Sequence, residues 1–464
     1  MNEQSRAVPR VMFVATGSGT GKTTVTCGIL KALINRKLSV SSFKCGPDYI
    51  DPMFHSKIIG AKSTNLDLVL CGEETVKFLL AKNAMNCDFS VIEGVMGMYD
   101  GLGFDTEFGS SNHLSQVTDT PQILIVNVKG MSLSAVAIIG GFINFKQNNI
   151  KGIILNHCSQ AMFPFYQKMV EKSLDIPVYG YFPFIKEASI ESRHLGLVTA
   201  DEIEDINDKL ELLAKTAEEC INIDGLLLLG QSSKEVGYKD LWQHIKPKGA
   251  LRIAVAKDEA FCFFYQDNLD LLKKLGAELI YFSPLLDKEL PPKIDGLLLY
   301  GGYPEEQAKK LSENKTMLKS VKLAVENNLP TIAECGGFMY LLEGITDKEG
   351  VTYEMVSLLK GTARMTDKLS RFGYIDLTAT TDTLLCKSGD KIKAHEFHYS
   401  DSDNNGTDFI AVKRAKEWSC IHATTTLFAG YPHLHFGANT SFAVNFINQC
   451  LNYKELARGK HDIR

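Results

Sequence analysis

The sequence predicts an α/β protein of two large halves, each an open, largely parallel sheet covered by helices. Short apolar runs alternate with stretches of helical spacing, the pattern of parallel strands joined by crossover helices. Two of those runs end in glycine-rich turns, and each turn opens directly into a helical pattern. At roughly 150 residues per domain, 464 residues suit two large units or about three smaller ones.

In chain order, the polar segment from Met1 to Arg10 lacks the apolar core of a signal peptide. Val11 to Ala15 reads as the first strand, and Thr23 to Leu38 as the helix after it. Ser39 to Phe43, Phe89 to Ile92, Ile123 to Val128, Gly152 to Leu155 and Val178 to Tyr181 read as further buried strands. Residues 201–224 form a charged, amphipathic helical pattern. Gly225 to Gly230 and the polar stretch through Pro247 and Lys248 read as a linker. The expected division is therefore a first domain over 1–224, a linker over 225–249 and a second domain over 250–464. Strands resume at Leu251 to Ala256, Glu278 to Phe282, Gly296 to Tyr300 and Pro330 to Ala333, with a helix at Asn268 to Leu275. Residues 350–436, rich in threonine and aromatics, are expected to add antiparallel strands.

Composition narrows the function. Fifty Lys and Arg against 55 Asp and Glu give a net charge of -5, which argues against a dedicated nucleic-acid binder. No apolar stretch approaches the ~18–20 residues that span a bilayer, so a cytoplasmic protein without a membrane role is expected. Eleven cysteines, an odd number with no CxxC pair, read as mostly buried thiols, leaving room for one nucleophile.

The first candidate site is Thr16-Gly-Ser-Gly-Thr-Gly-Lys-Thr-Thr24, between strand and helix. Backbone N–H groups of Gly17, Gly19, Thr20 and Gly21 can turn toward a phosphate, Lys22 can reach the β and γ phosphates of ATP, and the Thr23 hydroxyl can ligate Mg²⁺, with Thr24 following in the helix. Thr16 stands where the strict phosphate-loop pattern has its first glycine. Partitioning-type ATPases, which resemble this loop class, carry an extra lysine where this chain has Gly17, which weakens a dimerising switch-ATPase reading. Glu93, at the end of a neighbouring strand, is the candidate acid for the metal. Asp48, after the Gly46-Pro47 turn, is a second metal candidate, with turn and N-cap chemistry as the competing reading for Asp48 and Asp51. Asp100 either orients substrate or caps a Gly-flanked turn.

The second candidate site is Cys335, between the strand pattern Pro330 to Ala333 and a helical run. A cysteine at such an elbow faces a helix N-terminus, which is expected to lower its pKa. The Gly336 N–H and the turn Gly301-Gly302 are candidate oxyanion donors. His433 is the candidate base, with His435 as the second choice. The pairs His395/His398 and His433/His435 complete no recognisable zinc pattern.

Phe43-Lys-Cys-Gly-Pro-Asp-Tyr-Ile-Asp-Pro52, Ile92-Glu-Gly-Val-Met-Gly-Met-Tyr-Asp-Gly101, Arg193-His-Leu-Gly-Leu197, Gly301-Gly-Tyr-Pro-Glu305 and Ala333-Glu-Cys-Gly-Gly337 together resemble the cobyrinic acid a,c-diamide synthases. The resemblance covers nearly the whole chain. It implies an N-terminal P-loop ATPase and synthetase domain similar to dethiobiotin synthetase, and a C-terminal class I-like glutamine amidotransferase domain. It implies Cys335 as glutaminase nucleophile and His433 as base, with ATP and glutamine as co-substrates and Mg²⁺ as cofactor. The substrate would be a corrinoid carboxylate, amidated through an acyl phosphate in cobalamin biosynthesis. Tyr49, Asp100, Arg193 and His194 become candidates for contact with substrate or the activated group. Where related amidotransferases have His-Pro-Glu, this chain has His433-Leu-His435, so no acid follows the base. Nickel-sirohydrochlorin and hydrogenobyrinic acid remain alternative substrates, an inactive ATP-binding regulatory module an alternative of another class, and a homodimer one expected assembly.

Overall fold

A computed structural model describes residues 3–188 and 200–461. The chain divides into two compact units, Met1–Leu241 and Trp242–Arg464.

Unit 1 is built on a seven-stranded sheet in the order Lys62–Leu66, Val40–Cys45, Phe89–Glu93, Arg10–Ala15, Gln122–Asn127, Ile150–Asn156, Val178–Phe182. Every neighbouring pair is parallel, so both faces must be covered, and the central strands are buried along almost their whole length. The helix Lys22–Asn35 lies against Ala200–Cys220, where a Cβ on Gly28 would stand 3.0 Å from the Leu213 carbonyl oxygen. The expected strands appear with their ends moved by a residue or two. The edge strand Lys62–Leu66 was not anticipated, because its sequence, KSTNL, has little apolar content.

The expected linker is a correction. Ile223–Gln231 is a helix with Leu226 buried and Gly230 seated where a Cβ would lie 2.3 Å from the Phe89 ring. Val236–Lys239 pairs antiparallel with Glu3–Arg6. The fully buried Arg10 guanidinium donates to the carbonyls of Val8, Thr118 and Lys234. Residues 225–239 thus belong to unit 1: the leucine run that read as a connector lies in a packed helix, with Leu226 buried and Leu228 exposed.

Unit 2 opens on a sheet in the order Ala277–Phe282, Leu251–Ala256, Gly296–Leu299, Thr331–Glu334, Leu427–Gly430, His422–Ala423. Its first five strands are parallel and the last is antiparallel. The expected antiparallel region is present as a five-stranded sheet, Lys416–Cys420, Phe409–Lys413, Arg371–Ala379, Lys391–His398, His433–Leu434, beside a smaller mixed one. After Leu427–Gly430 the chain leaves the parallel sheet and, past Tyr431 and Pro432, joins the antiparallel one at His433. Among the described residues no helix is long and apolar enough to cross a membrane.

Candidate active sites

In unit 1 the strand register assembles the site. Arg10–Ala15 runs into the phosphate loop, and the helix begins at Lys22, so its N-terminus faces the loop. Gly19 and Gly21 hold left-handed backbone, with φ of 74° and 90°. Gly21 is the tight position: a Cβ there would lie 2.1 Å from Asn156 Nδ2, which donates to the Thr20 carbonyl at 2.6 Å. Gly17 has open space around it and accepts the Thr20 hydroxyl at 2.6 Å. Thr24 lies in the first turn of the helix. Lys22 Nζ stands 3.5 Å from the Met96 carbonyl oxygen.

Thr23 Oγ1 donates to Glu93 Oε1 at 2.7 Å. Glu93 ends its strand and lies in register with Lys44 on the next one, so the two are cross-strand neighbours. Lys44 Nζ bonds Glu93 Oε1 at 3.0 Å and also bonds Asp51. Glu93 Oε2 lies 3.5 Å from His55 Nε2 and has no hydrogen-bond partner among the described residues, although the side chain is fully buried. Burial works against the charged forms of Asp51 and Lys44, and pairing overcomes it. Asp51, which burial would raise, is kept below the usual carboxylate range by Lys44 and His55. Against the same desolvation, Glu93 and Asp51 hold Lys44 well above the usual ammonium range. Lys22 is lowered, by burial and then by repulsion from Lys44.

The remaining candidates of unit 1 divide. Asp48 is half-buried, and burial followed by Asp51 pushes it up to about 6. Its Oδ1 accepts the Ile50 N–H at 2.8 Å, so it also starts the short helix Ile50–Phe54. Tyr49 is the residue before that helix, its hydroxyl buried. Asp100 is exposed and its Oδ2 accepts the Gly97 N–H at 2.8 Å, as turn chemistry requires. Arg193 and His194 lie outside the described residues. Lys44, Asp51 and His55 are members of the cluster that sequence reasoning did not assign. Asn65, which donates to the carbonyls of Gly46 and Asp48, holds the turn beside them. Among the described residues no group of three or more His, Cys, Asp or Glu is placed to hold a metal ion.

In unit 2, Cys335 occupies the elbow between Thr331–Glu334 and Gly336–Leu341 with φ 50° and ψ −106°. Non-glycine residues rarely adopt such backbone, and here the surroundings enforce it. The Cys335 N–H donates to the Gly430 carbonyl at 2.8 Å, and a Cβ on Gly337 would lie 1.9 Å from the Leu299 carbonyl oxygen. A Cβ on Gly336 would lie 3.2 Å from Gly302 N, so the two expected oxyanion glycines are neighbours in space. A Cβ on Gly301 would lie 3.4 Å from Cys335 Cβ, 2.6 Å from His433 Cε1 and 3.5 Å from His433 Nε2. The side chains of Cys335 and His433 therefore flank the same glycine.

His435 turns elsewhere: its Nδ1 accepts the Gly437 N–H at 3.0 Å, and its ring packs 4.6 Å from that of Tyr265. Asn268, buried and unanticipated, donates to the Leu434 carbonyl at 2.7 Å and accepts the Phe436 N–H at 2.7 Å, pinning the segment that carries His433. One expectation is reversed. The elbow was expected to lower the Cys335 pKa, but burial and then Glu305 push it well above the usual thiol range. Burial also lowers His433 to about 4 and raises Glu305 to about 7. The cost of placing a charge in this closed pocket exceeds the pull of one short helix.

Comparison with known proteins finds a family match centred on each unit. Residues 11–198 match the CobQ/CobB/MinD/ParA nucleotide binding domain, and residues 252–441 the CobB/CobQ-like glutamine amidotransferase domain. The chain is 40% identical over 448 residues to the cobyrinate a,c-diamide synthase of Caldanaerobacter subterraneus, covering 95% of this chain and 98% of the relative. It is 42% identical over 446 residues to that of Clostridium acetobutylicum, covering 94% and 99%. It is 38% identical over 453 residues to that of Thermoplasma volcanium, covering 97% and 98%. Similarity of this extent along both chains, with a phosphate loop in one unit and a cysteine elbow in the other, shows that the chain belongs to the cobyrinate a,c-diamide synthase family.

Proposed function

We propose that this chain is a ligase that amidates the a- and c-acetate carboxylates of cobyrinic acid, using ATP and the amide nitrogen of glutamine. The observation that carries the reading is the presence in one chain of a cysteine elbow beside His433 and a phosphate loop beside the Lys44–Glu93–Asp51 cluster.

In unit 2 the Cys335 sulfur attacks the glutamine amide carbon while its proton passes to His433. His433 returns a proton to the departing nitrogen, and ammonia leaves a thioester. Water, deprotonated by His433, then releases glutamate and restores the thiol. Gly302 and Gly336 N–H groups receive the charge that develops on the amide oxygen. In unit 1 a substrate carboxylate oxygen attacks the γ phosphorus of ATP and ADP departs. Ammonia attacks the acyl carbon and inorganic phosphate leaves. Lys22 and the N–H groups of the phosphate loop hold the phosphates during transfer.

The residues at Thr23 fit Mg²⁺. A hydroxyl and a carboxylate lie together there, and one carboxylate oxygen is buried without a hydrogen-bond partner among the described residues. Thr23 and Glu93 would hold the ion, with Asp48 as a further ligand; when bound, it neutralises phosphate charge. Tyr49 and Asp100 are proposed to border the acceptor substrate, the Asp100 carboxylate through the turn that it caps.

A substrate panel tests the reading. Purified protein with ATP, Mg²⁺ and glutamine is given cobyrinic acid, hydrogenobyrinic acid or nickel-sirohydrochlorin, and amides are counted by mass spectrometry. Two amides on cobyrinic acid are expected. Two amides on nickel-sirohydrochlorin alone would reassign the substrate, and no amidation of any of them would overturn the proposal.

A further inference from the structure

The acid missing after His433 has a replacement at another place in the chain. Glu334 is the last residue of the strand that delivers Cys335, and its side chain is buried with that of His433, each 2% exposed. Glu334 Oε1 accepts the Leu434 N–H at 3.3 Å, and Oε2 faces His433 Nδ1 at 3.6 Å. The other edge of the same ring, Cε1 and Nε2, faces Gly301 and so the Cys335 side of the pocket. The carboxylate and the nucleophile therefore address opposite edges of one imidazole.

We propose that Glu334 is a positioning residue of the glutaminase site: its Oε2 accepts the Nδ1 proton of His433 and leaves the Nε2 lone pair directed at Cys335. This rests on the glutaminase reading given above. Neutral imidazole carries one proton, and whichever nitrogen holds it cannot act as a base. An acceptor on Nδ1 selects the useful tautomer and stabilises the imidazolium formed when the thiol proton arrives. Both Glu334 oxygens then meet N–H donors, which suits the carboxylate rather than the acid. Burial pushes Glu334 up to about 8, offset in part by the Leu434 N–H. The His433 Nδ1–H is the second donor that draws it back down. The spacing is 3.6 Å, and catalytic hydrogen bonds are often this long before substrate is bound. One residue position links the two functions, since the strand that sets the Cys335 elbow also carries the acid that orients its base.

The test combines a variant with a direct reading of the ring. Glu334→Gln keeps the size and an acceptor for Leu434 but offers an N–H to His433. It is expected to lower kcat for glutamine hydrolysis by about 100-fold or more, with KM for glutamine within about twofold. Nitrogen NMR of the His433 ring in the unmodified protein is expected to show the proton on Nδ1, and in Glu334→Gln on Nε2. A wild-type ring protonated on Nε2, or full kcat in the variant, would overturn the proposal. Cys335→Ala separates this from the underlying reading. If it still hydrolyses glutamine, the glutaminase assignment fails. If it is dead while Glu334→Gln is unimpaired, only the role of Glu334 fails.

Discussion

The two sites treat charge in opposite ways. In unit 1, Lys44 is buried against Asp51 and Glu93. Against the desolvation of burial, the two carboxylates hold Lys44 well above the usual ammonium range, and Lys44 holds Asp51 below the usual carboxylate range. In unit 2, burial raises the Cys335 thiol and lowers the His433 imidazole, so both rest neutral near pH 7. The difference follows the chemistry asked of each. A polyphosphate brings its charge with it, and a prearranged set of ions can receive it without reorganising. Glutamine is neutral, and a permanent thiolate would react with other electrophiles. In unit 2, the thiolate and imidazolium form together only when the proton moves from sulfur to nitrogen in the presence of the amide.

The largest expected effect removes one site and spares the other. Cys335→Ala should lower glutamine-dependent amidation by about 10⁴-fold or more while ammonia-dependent amidation continues. Loss of both in a folded, ATP-binding variant would contradict separate sites. Lys22→Ala should lower amidation by about 10³-fold with either nitrogen source, because transition-state charge on the phosphoryl group loses its counter-charge. Full ammonia-driven turnover in that variant would remove Lys22 from the account. Gly301→Ala should damage unit 2 without touching a reacting atom. Its Cβ would lie 2.6 Å from His433 Cε1, so glutamine hydrolysis should fall by about tenfold or more.

The pH dependence sharpens the contrast. His433, lowered to about 4, is unprotonated and able to act as a base at any pH above that value. Asp48, raised to about 6, loses its charge as pH falls through 6. Glutamine hydrolysis should therefore keep most of its kcat at about pH 5. Ammonia-driven amidation, measured at fixed free NH₃, should have lost most of its rate by then. Coincident acid limbs would show that the two sites do not differ in this way. Smallest is a stability effect: Gly337→Ala, with its Cβ 1.9 Å from the Leu299 carbonyl oxygen, should lower the unfolding free energy by about 1–3 kcal/mol in denaturant titration.

Much of this was legible in the sequence, for reasons that differ by residue. Lys22, Thr23 and Cys335 sit in turns whose glycines give a local signature, and the buried strands announce themselves by apolar runs. Glu93 was legible because it ends such a run. Lys44, His55 and Asn156 were not, because each acquires its role from strand register or from a turn distant in the chain. Glu334 was hidden for the same reason. A rule that looks for an acid two residues after the histidine finds His435, whereas the acid stands about a hundred residues earlier. The pKa of Cys335 was misjudged because helix position is visible in a sequence and burial is not. The linker was misplaced because an apolar run of four leucines between glycines fits a connector and a packed helix equally well.

The central claim is that nitrogen freed in unit 2 is used in unit 1. The most direct measurement gives the protein ATP, Mg²⁺, cobyrinic acid, amide-¹⁵N glutamine and unlabelled ammonium, and follows the label in the product by mass spectrometry, with Cys335→Ala in parallel. The account predicts ¹⁵N in the amides made by the unmodified protein, and amides without ¹⁵N from Cys335→Ala. Unlabelled amides from the unmodified protein, or labelled ones from Cys335→Ala, would contradict it.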